Sequence, residues 1–248
     1  MEKIKLAFDV GNTSINIGGF VEKDLVKTVS YLTADFNHSD FEIWVRDFLG
    51  NSEVSKIGLS CVVPRYHEAI INTLKTYAPV FVINPENLPN LLIRAENRNE
   101  LGADFIAAYY GAIIKYPPPI IVFDLGSATK TLVIDENQEI IGVAIKPGMK
   151  QILETMLRNI PHLPVIELAE PRDVLGNNTE EAIKAGLFFG ELANIHCYGA
   201  LIEQHYKMGA TTVVTGGYSH YFTKYLQGMN HDPDLLLYGI NKIIDNEL

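Results

Sequence analysis

The chain has 248 residues, of which 47% are hydrophobic and 20% charged, a composition typical of a globular protein with one or two domains. Its formal net charge of −10 argues against a nucleic-acid binder and against a protein of anionic membrane surfaces, both of which need a basic face. No apolar run has the length of a membrane-spanning helix or the form of a signal peptide. The two cysteines, Cys61 and Cys197, are too few for a disulfide framework, so we expect small buried hydrophobes in a cytoplasmic protein.

The first half of the chain alternates predicted strands with predicted helices. The expected strands are residues 4–9, 14–20, 25–31, 56–63 and 80–83. The expected helices are residues 39–49, 67–77 and 103–114. A polar loop over residues 84–100 precedes the last of these helices. Such alternation indicates an α/β protein.

The opening pattern of the chain occurs a second time. Three prolines, Pro117–Pro119, end the first half because they cannot continue a helix. The same five-residue pattern occurs before the prolines, at residues 8–12, and after them, at residues 123–127. It consists of an apolar strand end, an aspartate, an apolar residue, a glycine and a small polar residue. This internal repeat predicts two similar domains facing one another, residues 1–116 and 117–248.

The second half continues in the same style. The expected strands are residues 120–124, 131–135, 142–145 and 211–215. The expected helices are residues 151–159, 179–204, with a possible break near Gly199, and 218–226. Residues 235–246 close the chain as a strand or a helix.

The repeated Asp-x-Gly turn has the composition of a phosphate site. Its glycine lets a ligand approach the backbone closely, and successive N–H groups in such a turn form a nest for an anion. The small side chains that add donors are Asn12, Thr13, Ser127 and Thr129. Asp9 and Asp124 would repel phosphate alone, so they suit a cation or its water shell. Two facing turns would clamp a polyphosphate, whereas each turn alone would be an ordinary hairpin.

A third candidate segment, Thr215–Gly217, follows a later buried strand. Gly216 and Gly217 would let the backbone pass close to a nucleotide base, or would simply form a turn between a strand and a helix. The sequence contains no P-loop, no dinucleotide-binding Gly-x-Gly-x-x-Gly after a strand and no His-Glu-x-x-His zinc motif.

Seven motifs, in this order along the chain, resemble those of the type III pantothenate kinase family in the actin/Hsp70/sugar-kinase superfamily. They are Asp9–Thr13, Ser60–Pro64, Gly102–Asp104, Asp124–Thr129, Ile145–Gly148, Gly176–Thr179 and Thr215–Gly217. The resemblance implies two duplicated ribonuclease H-like α/β domains with an ATP cleft between them. It also implies a homodimer that phosphorylates pantothenate to 4'-phosphopantothenate with ATP, the first step of coenzyme A biosynthesis.

The resemblance further implies roles for single residues. Asp104 would be the general base that takes the proton of the pantothenate hydroxyl, although an aspartate there could also be a helix N-cap. Mg²⁺ would bind at Asp9, and a monovalent cation, K⁺ or NH₄⁺, at Asp124. The residues implied around ATP are Asp9, Gly11, Asn12, Thr13, Ser127, Gly216 and Gly217. Those implied around pantothenate are Gly102, Ala103, Asp104, Phe105 and Thr179.

The sequence departs from the family pattern near the expected acceptor site. Phe105 stands where the family has an arginine, and a phenylalanine cannot replace a guanidinium as an anion clamp. We expect Arg98, or Arg94, to supply the missing charge for the pantothenate carboxylate; the alternative is a solvated loop arginine. Ala95 falls where the family has an aromatic residue.

The second turn departs as well, because Lys130 and Leu132 stand where the family has a threonine and an aspartate. Lys130 either neutralises phosphate in place of a bound cation or is an exposed lysine on a strand. Two alternative functions therefore stay open. One is a kinase of the same fold that acts on another small hydroxyl compound, and the other is a catalytically silent nucleotide-binding homologue with a regulatory role.

Overall fold

The structure, a computed structural model, describes residues 3–88, 90–94 and 96–246. The chain divides into two compact units. The first runs to Lys115 and resumes at Asp234, and the second is Tyr116–Pro233. Among the described residues, no helix is both long and apolar enough to cross a bilayer.

The elements alternate as the sequence predicts. Those before the prolines are β1 (Lys3–Val10), β2 (Ser14–Val21), β3 (Asp24–Leu32), α1 (His38–Leu49), β4 (Glu53–Cys61), α2 (Pro64–Leu74), β5 (Val80–Val82) and α3 (Ala103–Lys115). Those after them are β6 (Ile120–Leu125), β7 (Ala128–Ile134), β8 (Ile140–Pro147), α4 (Met149–Asn159), α5 (Thr179–Ala193), α6 (Gly199–Tyr206), β9 (Thr211–Thr215), β10 (Asn230–His231) and α7 (Leu235–Asn246).

Each unit contains a five-stranded sheet of the same design. The first sheet has the order β3-β2-β1-β4-β5 and the second the order β8-β7-β6-β9-β10. In both, the three strands that are consecutive in sequence pair antiparallel, and the two later strands add in parallel. This is the ribonuclease H-like arrangement, and its occurrence in both units confirms the predicted α/β class and the duplication.

The strand registers of the two sheets also match at their aspartates. Asp9 lies opposite Asn16 on the antiparallel neighbour and beside Ser60 on the parallel neighbour. Asp124 lies in the same way opposite Lys130 and beside Thr215. Because residues that are paired across strands share a face of the sheet, these partners determine the surroundings of each carboxylate.

The C-terminal helix α7 clusters with the first unit, whereas the division drawn from the sequence placed residues 117–248 together. The reason is its apolar face, which includes the buried residues Leu235, Ile240 and Ile244. A Cβ on Gly58 of β4 would stand 2.5 Å from Ile240 Cγ2, so the helix lies directly on the sheet. As a division into independently folding domains, residues 1–116 and 117–248 remain a prediction.

Helices α3 and α7 approach each other so closely that glycine is required at the contact. A Cβ on Gly239 of α7 would stand 1.8 Å from the carbonyl oxygen of Ala107. We expect Gly239→Ala to lower the free energy of unfolding by about 1–3 kcal/mol or more, because the helices must separate to admit the methyl group. Urea denaturation measures this loss.

Gly186 of α5 provides the matched control, because nothing lies within 4 Å of a Cβ built there. Gly186→Ala should raise the free energy of unfolding by about 0.5–1 kcal/mol, the ordinary gain of alanine over glycine in a helix. Equal effects of the two substitutions would contradict the close helix contact.

The helix predicted over residues 179–204, with a possible break near Gly199, is interrupted just before that glycine. A π-helical turn, Asn194–Tyr198, joins α5 to α6. Cys197 lies in this turn and is exposed, so the expectation of a buried hydrophobe was wrong for it. Cys61 is half-buried, and burial raises the pKa of its thiol, which makes it a poor nucleophile.

Candidate active site

The first Asp-x-Gly turn joins β1 to β2 and is held in shape by hydrogen bonds. The backbone N–H of Gly11 donates to the carbonyl oxygen of Ser14 at 2.9 Å. Thr33, fully buried, donates its hydroxyl to the Gly11 carbonyl at 2.7 Å and its N–H to the Thr13 carbonyl at 3.0 Å. Asn12 at the tip is exposed. The turn is therefore a rigid segment whose tip can reach a ligand.

Asp9 stands at the end of β1, just before this turn, and is partly exposed. The buried hydroxyl of Ser60 donates to Asp9 Oδ1 at 3.4 Å. The residue opposite, Asn16, is neutral, and its amide is engaged with Ser14 and Ser30. An accessible carboxylate with a neutral cross-strand partner fits Mg²⁺, which binds proteins through one or two carboxylates and keeps several waters.

The second turn, Gly126–Ser127, joins β6 to β7 and is held by Gly148 as well as by its own hairpin. Gly126 N–H donates to the Ala128 carbonyl at 3.2 Å, and Gly148 N–H donates to the Ser127 carbonyl at 3.0 Å. A Cβ on Gly148 would stand 2.3 Å from the Gly126 carbonyl oxygen. Glycine at this position therefore lets the end of β8 lie against the turn.

Asp124 is 9% exposed and forms an ion pair with Lys130, whose Nζ lies 2.7 Å from Asp124 Oδ2. The lysine side chain is only 17% exposed. Lys130 is therefore not an exposed strand lysine. Its charge faces the carboxylate of Asp124, where the family resemblance predicts a monovalent cation. Leu132, the other departure in this turn, is buried in β7, where it belongs to the core.

The Thr215–Gly217 segment packs against the same carboxylate. Gly216 has a φ of +90°, and a Cβ there would stand 2.4 Å from Asp124 Oδ1. The backbone conformation and the lack of space are two independent reasons why this position requires glycine. Ser219 donates its N–H and its hydroxyl to the Gly216 carbonyl at 3.0 and 2.7 Å. Gly217 is exposed.

The hydroxyl of Thr215 is fully buried and lacks a hydrogen-bond partner. We expect Thr215→Val to raise the free energy of unfolding by about 1 kcal/mol, because valine has nearly the same shape without the desolvation cost of an unsatisfied hydroxyl. Urea denaturation of the purified variant measures the change.

Thr33 is the matched control, since it is equally buried but its hydroxyl is bonded to Gly11. Thr33→Val should lower the free energy of unfolding by about 1 kcal/mol. An equal loss in Thr215→Val would contradict the unsatisfied state of that hydroxyl.

Asp104 is the second residue of α3, and its helix begins one residue earlier. It is therefore not the N-cap. Its Oδ1 accepts from the N–H of Phe105 at 2.8 Å and lies 2.6 Å from where a Cβ on Gly102 would stand. Gly102 thus leaves room for the carboxylate, and the helix N-terminus favours its negative charge. Ala103 is buried and begins the helix.

The residues expected around the acceptor differ in exposure. Phe105 is 6% exposed and belongs to the interior of the first unit. Arg98 is half-buried and donates its guanidinium to the Leu88 carbonyl, while Arg94 is exposed. Ala95 lies outside the described residues.

Thr179 is the exposed first residue of α5 in the second unit. The preceding Asn178 caps this helix by accepting from the N–H of Glu181 at 2.9 Å. A Cβ on Gly176 would stand 2.0 Å from the N atom of Ala182. The Gly-Asn-Asn-Thr motif therefore builds the helix start that presents Thr179.

Within the first unit the structure brings Asp9 together with Ser60 and the adjoining turn; within the second it brings Asp124 together with Lys130 and Gly216. Sequence reasoning gave no role to Thr33 or to Gly148, the two residues that hold the turns. No local pattern identifies Thr33, whereas Gly148 stood in a recognised motif. Among the described residues, no group of three or more His, Cys, Asp or Glu side chains is placed to hold a metal ion.

Two ribonuclease H-like units, each with an Asp-x-Gly turn at the end of its first strand, define a protein of the actin-like ATPase and sugar-kinase class. The comparison with known families then specifies the member. The chain belongs to the type III pantothenate kinase family, whose model matches residues 5–199.

Relatives of the same family are similar in sequence to this chain over almost its whole length. A type III pantothenate kinase of Exiguobacterium sp. strain AT1b is 32% identical over 250 residues, which cover 97% of this chain and 98% of that protein. A type III pantothenate kinase of Sulfurihydrogenibium sp. is 28% identical and covers 89% of this chain and 95% of its own.

Solved structures show the same fold. A Campylobacter jejuni protein whose structure is described as that of a "conserved putative Baf family transcriptional activator" superposes with a TM-score of 0.60 at 23% identity, covering 97% of this chain and 98% of its own. The ethanolamine utilization protein EutJ from Carboxydothermus hydrogenoformans gives a TM-score of 0.55 at 14% identity, covering 96% of this chain and 89% of its own. At these identities the likeness concerns the fold alone.

Proposed function

We propose that the two Asp-x-Gly turns and Asp104 carry out the reaction of the family, the ATP-dependent phosphorylation of pantothenate to 4'-phosphopantothenate. This reaction is the first step of coenzyme A biosynthesis. The observation that carries the proposal is the duplication of the turn at matched strand ends, with matched registers around Asp9 and Asp124.

The turns have the groups that phosphoryl transfer requires, because this chemistry depends mainly on positioning and charge neutralisation. In the first turn, Gly11, Asn12 and Thr13 would donate to phosphate oxygens from a backbone held by Thr33. Asp9 would hold Mg²⁺, which, when bound, neutralises charge on the phosphates of ATP.

In the second unit, Ser127 would donate to ATP from the turn that Gly148 holds. Gly216 and Gly217 would let the nucleotide approach the backbone, which is exposed at Gly217. The support for this assignment is the geometry of the Gly216 turn, whose positive φ and contact with Asp124 exclude any side chain.

Asp104 would act as the general base. Its carboxylate would accept the proton of the pantothenate hydroxyl while that oxygen forms a bond to the γ-phosphorus and the bond to the ADP oxygen breaks in line. The contact of Asp104 Oδ1 with the Phe105 N–H supports the role, because it holds the carboxylate in one orientation at the helix start.

The acceptor would lie near Gly102, Ala103 and Phe105, with Thr179 as a further contact. Pantothenate carries a carboxylate, and Arg98 would pair with it. The hydrogen bond from the Arg98 guanidinium to the Leu88 carbonyl supports this role because it positions the side chain. Phe105 is buried, which indicates a packing role in the protein interior. It does not replace the positive charge of an arginine.

The assembly is proposed to be a homodimer in the cytoplasm. The edge strand β8 exposes Val143 and Ile145, with 44% and 66% of their surface accessible. An apolar edge strand is a surface that native proteins cover, and a second copy of the chain would do so.

Phosphorylation assays with purified protein test the proposed function. The protein should release ADP from MgATP when pantothenate is present, and mass spectrometry should identify a monophosphorylated product. A panel of other small alcohols tests the alternative acceptor that the loss of the arginine at Phe105 suggests. ATP binding by calorimetry without turnover on any acceptor would favour a silent homologue.

A further inference from the structure

Lys130 brings a positive charge into the interior of the second turn. Its Nζ lies 2.7 Å from Asp124 Oδ2, and the two side chains are only 17% and 12% exposed. A carboxylate with so little water around it needs a compensating charge, and here the neighbouring strand supplies one.

We propose that the Lys130 ammonium is a tethered monovalent cation, which makes this enzyme independent of added K⁺ or NH₄⁺. An ammonium group and NH₄⁺ carry the same charge on the same donor atom type, so Lys130 can do for Asp124 what a bound ion would do. The inference rests on the proposed function, because it assigns Asp124 to the ATP-binding turn.

The residues around Asp124 do not fit an additional monovalent cation. Oδ2 is already in contact with Lys130, and an added cation there would be repelled by a like charge in a poorly solvated site. Oδ1 faces the backbone at Gly216, where it lies 2.4 Å from the position of a Cβ. Oδ2 is therefore occupied as long as the lysine remains paired, and the whole Asp124 side chain is only 12% exposed.

The duplicated register explains why the lysine reaches this aspartate. Lys130 lies directly opposite Asp124 on the antiparallel neighbour, and side chains at such positions are in contact range. The equivalent position in the first unit is Asn16, which is neutral and bonded to Ser14 and Ser30. The two turns thus differ at this register position: Asp9 lies opposite an amide, whereas Asp124 lies opposite an ammonium group.

The first experiment uses the wild-type protein with choline as the sole monovalent cation and ATP as its choline salt with MgCl₂. We expect the rate of pantothenate phosphorylation to change by less than about twofold when KCl or NH₄Cl replaces choline chloride. Strong activation by either salt would overturn the proposal.

The second experiment removes the Lys130 ammonium, so that a cation from solution can bind at Asp124 in its place. Lys130→Thr should lose about tenfold or more of its activity in choline, because the charge at Asp124 is then uncompensated, and should recover with K⁺ or NH₄⁺. Lys150→Thr, which removes an exposed lysine of α4 in the same unit, should behave like the wild type in every salt.

Thermal denaturation without ATP or pantothenate gives a readout that is independent of catalysis. The melting temperature of Lys130→Thr should rise when K⁺ or NH₄⁺ replaces choline, since a cation that binds only the folded state stabilises it, whereas that of the wild type should not change. A folded Lys130→Thr variant that shows no such dependence would overturn the inference.

The two readouts separate the failure of the inference from the failure of the proposed function. If no salt supports turnover of pantothenate by the wild type, the proposed function fails, and the melting temperatures alone decide the role of Lys130. If Lys130→Thr does not fold, the rate and melting temperature of the wild type in the three salts still decide it.

Discussion

Asp104→Asn is expected to lower kcat for pantothenate phosphorylation by about 10²- to 10⁴-fold, the usual contribution of a general base. Asparagine has nearly the same shape as aspartate and can still accept from the Phe105 N–H through its amide oxygen, but it cannot take up a proton. The dissociation constant of ATP, measured by calorimetry, should stay within about twofold of the wild-type value, because the phosphate turns are intact.

Asp40→Asn is the matched control for this substitution. Asp40 also lies in the first turn of a helix of the first unit, at the start of α1, and is exposed. The change removes the same charge from a comparable position, so kcat should not change. Full activity of Asp104→Asn would show that another group accepts the proton, whereas equal losses in both variants would indicate a general effect of charge.

Asp124→Ala is expected to lower the free energy of unfolding by about 3–5 kcal/mol, because it removes the carboxylate that faces the Lys130 ammonium in a poorly solvated site. The double variant Asp124→Ala/Lys130→Met removes both charges and should recover most of this loss. Chemical denaturation of the two variants measures the difference, and both should lose turnover because the second turn has lost its carboxylate.

The pair Lys150–Glu154 of α4 serves as the control for this prediction, since it is an exposed i,i+4 pair with 3.8 Å between Nζ and Oε1. Glu154→Ala should change the free energy of unfolding by less than about 0.5 kcal/mol. A double variant of Asp124 and Lys130 that is no more stable than Asp124→Ala would indicate that the pair is not the source of the loss.

Much of the fold follows from local patterns in the sequence. Alternating apolar residues place β1, and a continuous apolar run places β6. Three prolines mark the end of the first half, and the repeated Asp-x-Gly turn predicts the duplication. These features can be predicted from the sequence because strand periodicity and turn chemistry depend on a few neighbouring residues.

The remainder depends on strand register and on contacts between residues that are distant in sequence. The pairing of Asp124 with Lys130 requires the hairpin register, and the hydroxyl bond from Thr33 to Gly11 joins residues 22 positions apart. The placement of α7 depends on glycines in α3 and β4 that leave room for it. The Asp124–Lys130 pair is local in sequence, but a window of residues does not give the register that places the two side chains opposite each other, and the other contacts lie outside any one window.

The return of the chain to its first unit makes the second unit, in effect, an insertion. The structure that begins with β1 is completed only by α7, after the 118 residues of Tyr116–Pro233 have intervened. During synthesis, the first unit therefore stays without the helix that covers Gly58 and Gly111 until all of the second unit has been made. The first sheet has all its strands by β5, but the unit built on it is the last of the two to become complete.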